Sequence, residues 1–182
     1  MTLSAGKKFE NNIRDSVDED IMYYRLKDSA QSFEKTARFT LKNPCDFFLY
    51  SYPLLLPLEA KTTNKNYFTV ELSKEDSKKM IHYHQIEGLR EFAKYKGIVP
   101  GFILNYRIKE DTPEYTELTY FIHINDFDRM IKELNKKSFT ILDLLKYSPI
   151  KIRSTKKRTN FKYGIGSFLI EIKEKYNMNH KE

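Results

Sequence analysis

Two carboxylates and one lysine are the residues whose types and spacing suit chemistry. Asp46 opens the run "DFFLY", Glu59 follows thirteen positions later inside "LLLPLEAKTT", and Lys61 stands two residues beyond Glu59. Residues two apart on a strand point to one face, so Glu59 and Lys61 emerge together while Ala60 turns away. If the two runs form a hairpin, Asp46 pairs alongside them. Two converging carboxylates make a hard oxygen site suited to Mg²⁺, which keeps several waters for substrate. A lysine beside that ion can orient or deprotonate a water, or offset charge developing on a phosphate. These are the parts that phosphodiester hydrolysis needs. The spacing alone better suits a solvated ion pair at a strand end, worth about 0–1 kcal/mol. The Leu and Pro residues just before Glu59 favour chemistry, because they place the pair at the mouth of a buried strand.

The elements that must position these groups follow from periodicity. Phe9, Ile13 and Val17 recur every four residues over 4–17, a helix with Ser4 as N-cap. "IMYYRL" has the length and aromatic content of a strand. Residues 28–42 carry no period. "DFFLYSYPLLLPLEAKTT" divides into two strands at Tyr52-Pro53, and Pro57 implies a bulge or a nearby edge, since it offers no ladder donor. Residues 74–96 have the pattern of one long amphipathic helix ending at Gly97. "IVPGFILNY" and "LTYFIHI" then have strand length. Asn125 is placed to cap "DFDRMIKEL", Ser138 to cap "FTILDLLKY", and "GSFLIEIKEKY" forms a last helix. The order specifies an α/β or α+β fold, a mixed sheet flanked by helices. With no repeat and no linker composition, residues 1–182 are expected to form a single domain with a short C-terminal tail.

Composition sets the outer bounds. The 182 residues hold 32 Lys and Arg against 25 Asp and Glu, a net charge of +7, which favours a polyanionic partner. Cys45 is the sole cysteine, so an intrachain disulfide or Cys-rich zinc site is excluded, and a reducing compartment is implied. The N-terminus shows no signal-peptide pattern and no run approaches a membrane span. A cytoplasmic protein with no membrane partner is the expectation.

The sequence also resembles a known family. "CDFFLY…LPLEAKTT", followed by "MIHYHQIEGLREFAKYKGIVPGFIL", is similar to the RecU-type Holliday junction resolvases of the PD-(D/E)xK nuclease superfamily. There an Asp-led strand precedes a Glu-Ala-Lys strand, and a His-Gln-Ile-Glu helix and a Gly-led apolar strand follow. "GKKFENNI" also looks like the family's first helix, which carries a glutamate. The likeness spans about Gly6 to Tyr106. It implies a restriction-endonuclease-like α/β core in which Asp46 and Glu59 ligate Mg²⁺, with Mn²⁺ as a possible substitute. Lys61 would assist the attacking water, Glu10 would act on the site through a water or from behind the ligands, and Gln85 would face it from the helix. The implied activity is a structure-selective endodeoxyribonuclease that resolves four-way DNA junctions as a homodimer. Two departures stand out. Asn43-Pro44-Cys45 replaces the family's Thr-rich lead-in, and Arg25 to Asp46 is short for the stalk that these proteins insert into a junction.

Other residues have humbler readings. His82 and His84 lie two apart on the expected helix and so face different ways. Cys45 suits a small buried apolar role, its thiol made less acidic by Asp46. "KIRSTKKRTNFK" carries Lys151, Arg153, Lys156, Lys157, Arg158 and Lys162 without one acid. It is expected to be a mobile basic loop, at about 151–162, that contacts DNA phosphates without reading sequence. Arg25, closing the early strand, is a further DNA-contact candidate. The open alternatives are a restriction- or repair-type nuclease acting on duplex DNA, and a non-catalytic nucleic-acid-binding protein.

Overall fold

A computed structural model describes residues 3–26, 43–109 and 115–176. Its centre is a six-stranded mixed sheet flanked by helices, the class that the element order implies. In chain order the elements are α1 (Ala5–Arg14), β1 (Met22–Arg25), β2 (Phe47–Ser51), β3 (Leu54–Thr63), β4 (Tyr67–Thr69) and α2 (Tyr83–Phe92). Then come β5 (Gly101–Lys109), β6 (Tyr115–His123), α3 (Ile124–Leu134), β7 (Ser138–Thr140), α4 (Ile141–Leu145), β8 (Ile150–Ile152), β9 (Ser154–Lys156), β10 (Phe161–Tyr163) and α5 (Ile165–Lys175). The main sheet runs β1-β2-β3-β5-β6-β8, with β3 and β5 parallel and the other neighbours antiparallel. β4–β7 and β9–β10 form two small ribbons.

Strand alternation sorts the apolar side chains onto two faces. Leu54, Leu56 and Leu58 of β3 and Ile103 of β5 pack with Phe9 and Ile13 of α1 and with Phe168 and Ile172 of α5. Phe102, Leu104 and Tyr106 turn the other way, onto Ile86 and Leu89 of α2, Phe127 and Met130 of α3, and the β4–β7 ribbon. Glu59 and Lys61 are out of phase with Leu58. They therefore lie on the face that α2 covers.

Five expectations are corrected. The helix proposed for 74–96 begins only at Tyr83, because the preceding chain is tied to β4: the Met80 and Ile81 amides both donate to the Thr69 carbonyl, and Val70 bridges Ile81. Pro57 lies in a central strand with neither edge nor bulge. Leu55 bridges Ile98 and Leu58 pairs with Gly101, so Pro57 stands level with Pro100, and the ladder's gap falls where neither residue has an N–H to give. His123, not Asn125, caps α3, its Nδ1 accepting from the Asn125 amide at 3.1 Å, while Ser138 opens β7 and Thr140 caps α4. The stretch 151–162 is no mobile loop: it contains most of β8, β9 and the start of β10, with the alternation of β8 plain in buried Ile150, exposed Lys151 and buried Ile152. Residues 28–42 and the C-terminal tail lie outside or largely outside the described residues. Among the described residues no helix is long and apolar enough to cross a membrane.

Close packing fixes α2 against the segment that leads into Asp46 and β2. A Cβ on Gly88 would lie 2.6 Å from the Pro44 carbonyl oxygen and 2.8 Å from its Cα, so backbone must move to admit it. Gly88→Ala is expected to cost about 1–3 kcal/mol and to lower the thermal midpoint by several degrees. Calorimetry checks this, and an unchanged midpoint would contradict the packing.

Candidate active site

Asp46 lies immediately before β2, where its backbone and side chain hold both neighbours of Glu59. Its amide donates to the Leu58 carbonyl at 3.0 Å, and its Oδ2 accepts from the Ala60 amide at 2.8 Å. The carboxylate of Asp46 thus takes the place of a ladder carbonyl. This brings its charge close enough to the Glu59 carboxyl to raise the cost of ionising it.

Glu59 is 2% exposed. Its Oε1 accepts from the Lys61 ammonium at 3.0 Å and from the Gln85 side-chain amide. Gln85 comes from the first turn of α2, and its own carbonyl oxygen accepts from the His82 amide at 2.9 Å. One side chain thereby closes the helix N-terminus and grips the buried carboxylate. Glu71 completes that end, accepting from the Tyr83 amide at 3.0 Å and pairing with His82 Nδ1 at 2.9 Å.

Burial dominates the electrostatics. It pushes the Glu59 carboxyl up to about 8; the nearby Lys61 ammonium opposes the shift and the Asp46 charge adds to it. The Asp46 carboxyl is also raised, chiefly by burial, against the pull of the Ala60 N–H and Lys61. Two carboxyls that hold a proton between them near neutral pH are a donor set that a hard divalent cation can occupy in the proton's place. Asp46 and Glu59 are the residues that would hold a hard divalent cation such as Mg²⁺. Cys45 is buried and inert, its thiol pushed up to about 12 by desolvation and then by Glu59 and Asp46.

Not every candidate joins this group. Glu10 is held by Arg25, whose Nε donates to its Oε2 at 3.0 Å. Its charge reaches Asp46 through space, yet among the described residues no three of His, Cys, Asp and Glu gather as a metal-holding set. Arg25 is accordingly engaged with Glu10. His82 and His84 do meet, contrary to the helical reading, because His82 is the N-cap: their rings stack 5.6 Å apart. Lys156, Lys157 and Arg158 converge on a cavity of about 390 Å³ that Asn64 and Arg107 also line. Lys151 and Arg153 belong to β8 and the link after it, and Lys162 projects from β10 beside Thr155, so none of the three lines that cavity. A second cavity, about 420 Å³, opens where β3 leaves the sheet and is lined by Thr62, Thr63, Asn64, Lys65 and Arg107. Arg107 was missed in the sequence. Its signal was Asn105-x-Arg107, two polar residues sharing one face of an otherwise apolar strand.

The raised Glu59 pKa carries a stability consequence with a definite sign. The native chain holds a proton that the unfolded chain releases near the ordinary 4.5. Stability is therefore full below that value and declines as pH rises through about 8, with a slope up to about 1.4 kcal/mol per pH unit for one proton. In metal-free buffer the thermal midpoint should fall over that window, and neutral Glu59→Gln should flatten the fall. An equal fall in both proteins would show that Glu59 is not the group responsible.

No family model matches the chain. Among solved structures it is similar to Hjc, a Holliday junction resolvase from the archaeal hyperthermophile Archaeoglobus fulgidus, at 13% identity and a TM-score of 0.47, covering 80% of this chain and 93% of that one. Among curated proteins it matches the SPbeta prophage-derived uncharacterized protein YotM of Bacillus subtilis strain 168, with 32% identity over 185 residues, 94% of this chain and 88% of the relative. An identity of that level over nearly the full length of both proteins shows that this chain belongs to the YotM family.

Proposed function

We propose that the chain is a Mg²⁺-dependent, structure-selective endodeoxyribonuclease that resolves four-way DNA junctions. The observation that carries this is the buried Asp46–Glu59 carboxyl pair with Lys61 anchored on Glu59 Oε1 at 3.0 Å. The family resemblance adds weight: "CDFFLY", "LEAK" and "HQIE" occur in the order of RecU-type resolvases, on β2, β3 and α2. A bound ion supplies polarisation of the phosphoryl group and activation of a water. Asp46 and Glu59 hold that ion, and Gln85 fixes the orientation of Glu59. Lys61 positions the water or offsets charge on the phosphate. In-line attack would leave 5′-phosphate and 3′-hydroxyl ends, a polarity taken from the resemblance. The two-fold symmetry of a four-way junction calls for two matched cuts, hence a homodimer with one site per subunit.

Cleavage of a mobile four-way junction, compared with a linear duplex of the same arms, tests the reading. Mg²⁺-dependent cutting of the junction is expected to exceed that of the duplex. Lys61→Ala should lower the cleavage rate about 10²–10⁴-fold while binding persists, the range for losing a proton-handling group. Asp46→Asn should abolish cutting. Equal cutting of both substrates would favour a duplex nuclease, and a Lys61→Ala protein of full activity would remove Lys61 from the site.

A further inference from the structure

Lys61 is followed by Thr62, whose side chain lies on the opposite face of the sheet and begins a polar network. The Thr62 hydroxyl donates to Asn105 Oδ1 at 2.7 Å, and Arg107 Nε donates to the same oxygen at 3.0 Å. The Arg107 guanidinium also lies over the Phe161 ring, 5.9 Å from its centroid. Its Nη2 is buried and finds no hydrogen-bond partner among the described residues. The carboxylate opposite Arg107 across β5–β6 is Glu117. That group is already taken: it accepts from Ser154, Thr119 and Tyr163, the last two at 2.7 and 2.8 Å.

The same carboxylate pins the β9–β10 ribbon. Ser154 and Tyr163 face each other across its base, and the Tyr163 amide is tied to Ser16 Oγ at 2.9 Å. From that base the turn, closed by the Lys157 amide on the Asn160 carbonyl at 2.7 Å, carries exposed Lys157 and Arg158 outward. Asn64, Arg107, Lys156, Lys157, Arg158 and Phe161 line the resulting cavity of about 390 Å³, which has no acidic residue in its wall. Arg107 also lines the neighbouring cavity under Thr62 and Thr63. An arginine with an unspent donor, lining a recess whose charged residues are all basic, is complementary to a phosphate.

The geometry points to a phosphate seat on Arg107, Lys157 and Arg158 that takes a backbone phosphodiester of the bound DNA strand, at the end of β3 and on the opposite face of the sheet from Glu59. This inference rests on the nuclease reading and deepens it by naming what holds the strand beyond the point of cutting. Arg107 is then a positioning residue, acting on the register of the strand and not on the reacting atoms.

The test is binding of a four-way junction in metal-free buffer, followed by fluorescence anisotropy over a salt series. Arg107→Gln should reduce the slope of log affinity against log salt by about one unit and weaken binding about eightfold near 0.1 M salt, as loss of one phosphate contact requires. The exposed pair Lys157→Ala/Arg158→Ala, which leaves the ribbon's base intact, should reduce the slope by about two. Wild-type slopes in the pair variant overturn the seat, as do wild-type slopes in an Arg107→Gln protein with a native circular dichroism spectrum. A wild-type chain that binds no DNA overturns it as well. Slopes that fall as expected in a protein that cuts no DNA under Mg²⁺ support the seat and sink the nuclease reading. Junction cutting with unchanged slopes does the reverse.

Discussion

Glu59 is an ionisable group placed almost out of water, and much of the local structure is what makes that tolerable. An isolated buried carboxylate costs several kcal/mol or more and normally neutralises itself or finds partners. Here it does both: burial raises its pKa to about 8, while Lys61 and Gln85 contact it directly and the Asp46 charge adds to the shift. Each partner is fixed by a separate element. Lys61 is held by strand phase, Asp46 by its hydrogen bonds to Leu58 and Ala60, and Gln85 by its bond to the N-terminus of α2. Gly88, one turn along, lets that helix sit against Pro44. A distortion in any of these elements reaches Glu59.

The parallel β3–β5 pair gives the molecule two chemically different faces at one end of the sheet. Under α2 lies the carboxyl pair with its lysine. On the reverse lies the Thr62–Asn105–Arg107 network, roofed by the β9–β10 ribbon. The strand phase that sends Lys61 to one face sends Thr62 to the other, so the two sites are adjacent along β3 yet separated by the sheet. Under the proposed function, a nucleic acid crossing this sheet end would meet the carboxyl pair and the basic recess in turn.

Much of this was legible in the sequence, and the reasons are specific. The two-residue spacing of Glu59 and Lys61 and the apolar run before them are local signals that β3 preserves, whereas Gln85 was placed by the family resemblance alone. The failures came where tertiary contacts overrode local pattern. Residues 74–82 carry a helical period, yet Thr69 and Val70 recruit Met80 and Ile81 into a bridge, and Lys78 adopts a positive φ of 61°. The charge of "KIRSTKK" concealed a strand whose alternate isoleucines were in plain view. The resemblance put Glu10 beside the site, and its charge does reach Asp46 through space, but its pairing with Arg25 depends on how α1 docks, which no spacing reveals. The polar network around Asn105 needed three strands in register before it could be seen.

The central claim is that Asp46 and Glu59 share a proton that a divalent cation displaces. Titrating Mg²⁺ into the protein by calorimetry at about pH 7, in buffers of different ionisation enthalpy, measures that proton directly. The expected result is release of about one proton per ion bound by the native chain, and close to none by Glu59→Gln. Binding without proton release, or identical release from both proteins, would contradict it.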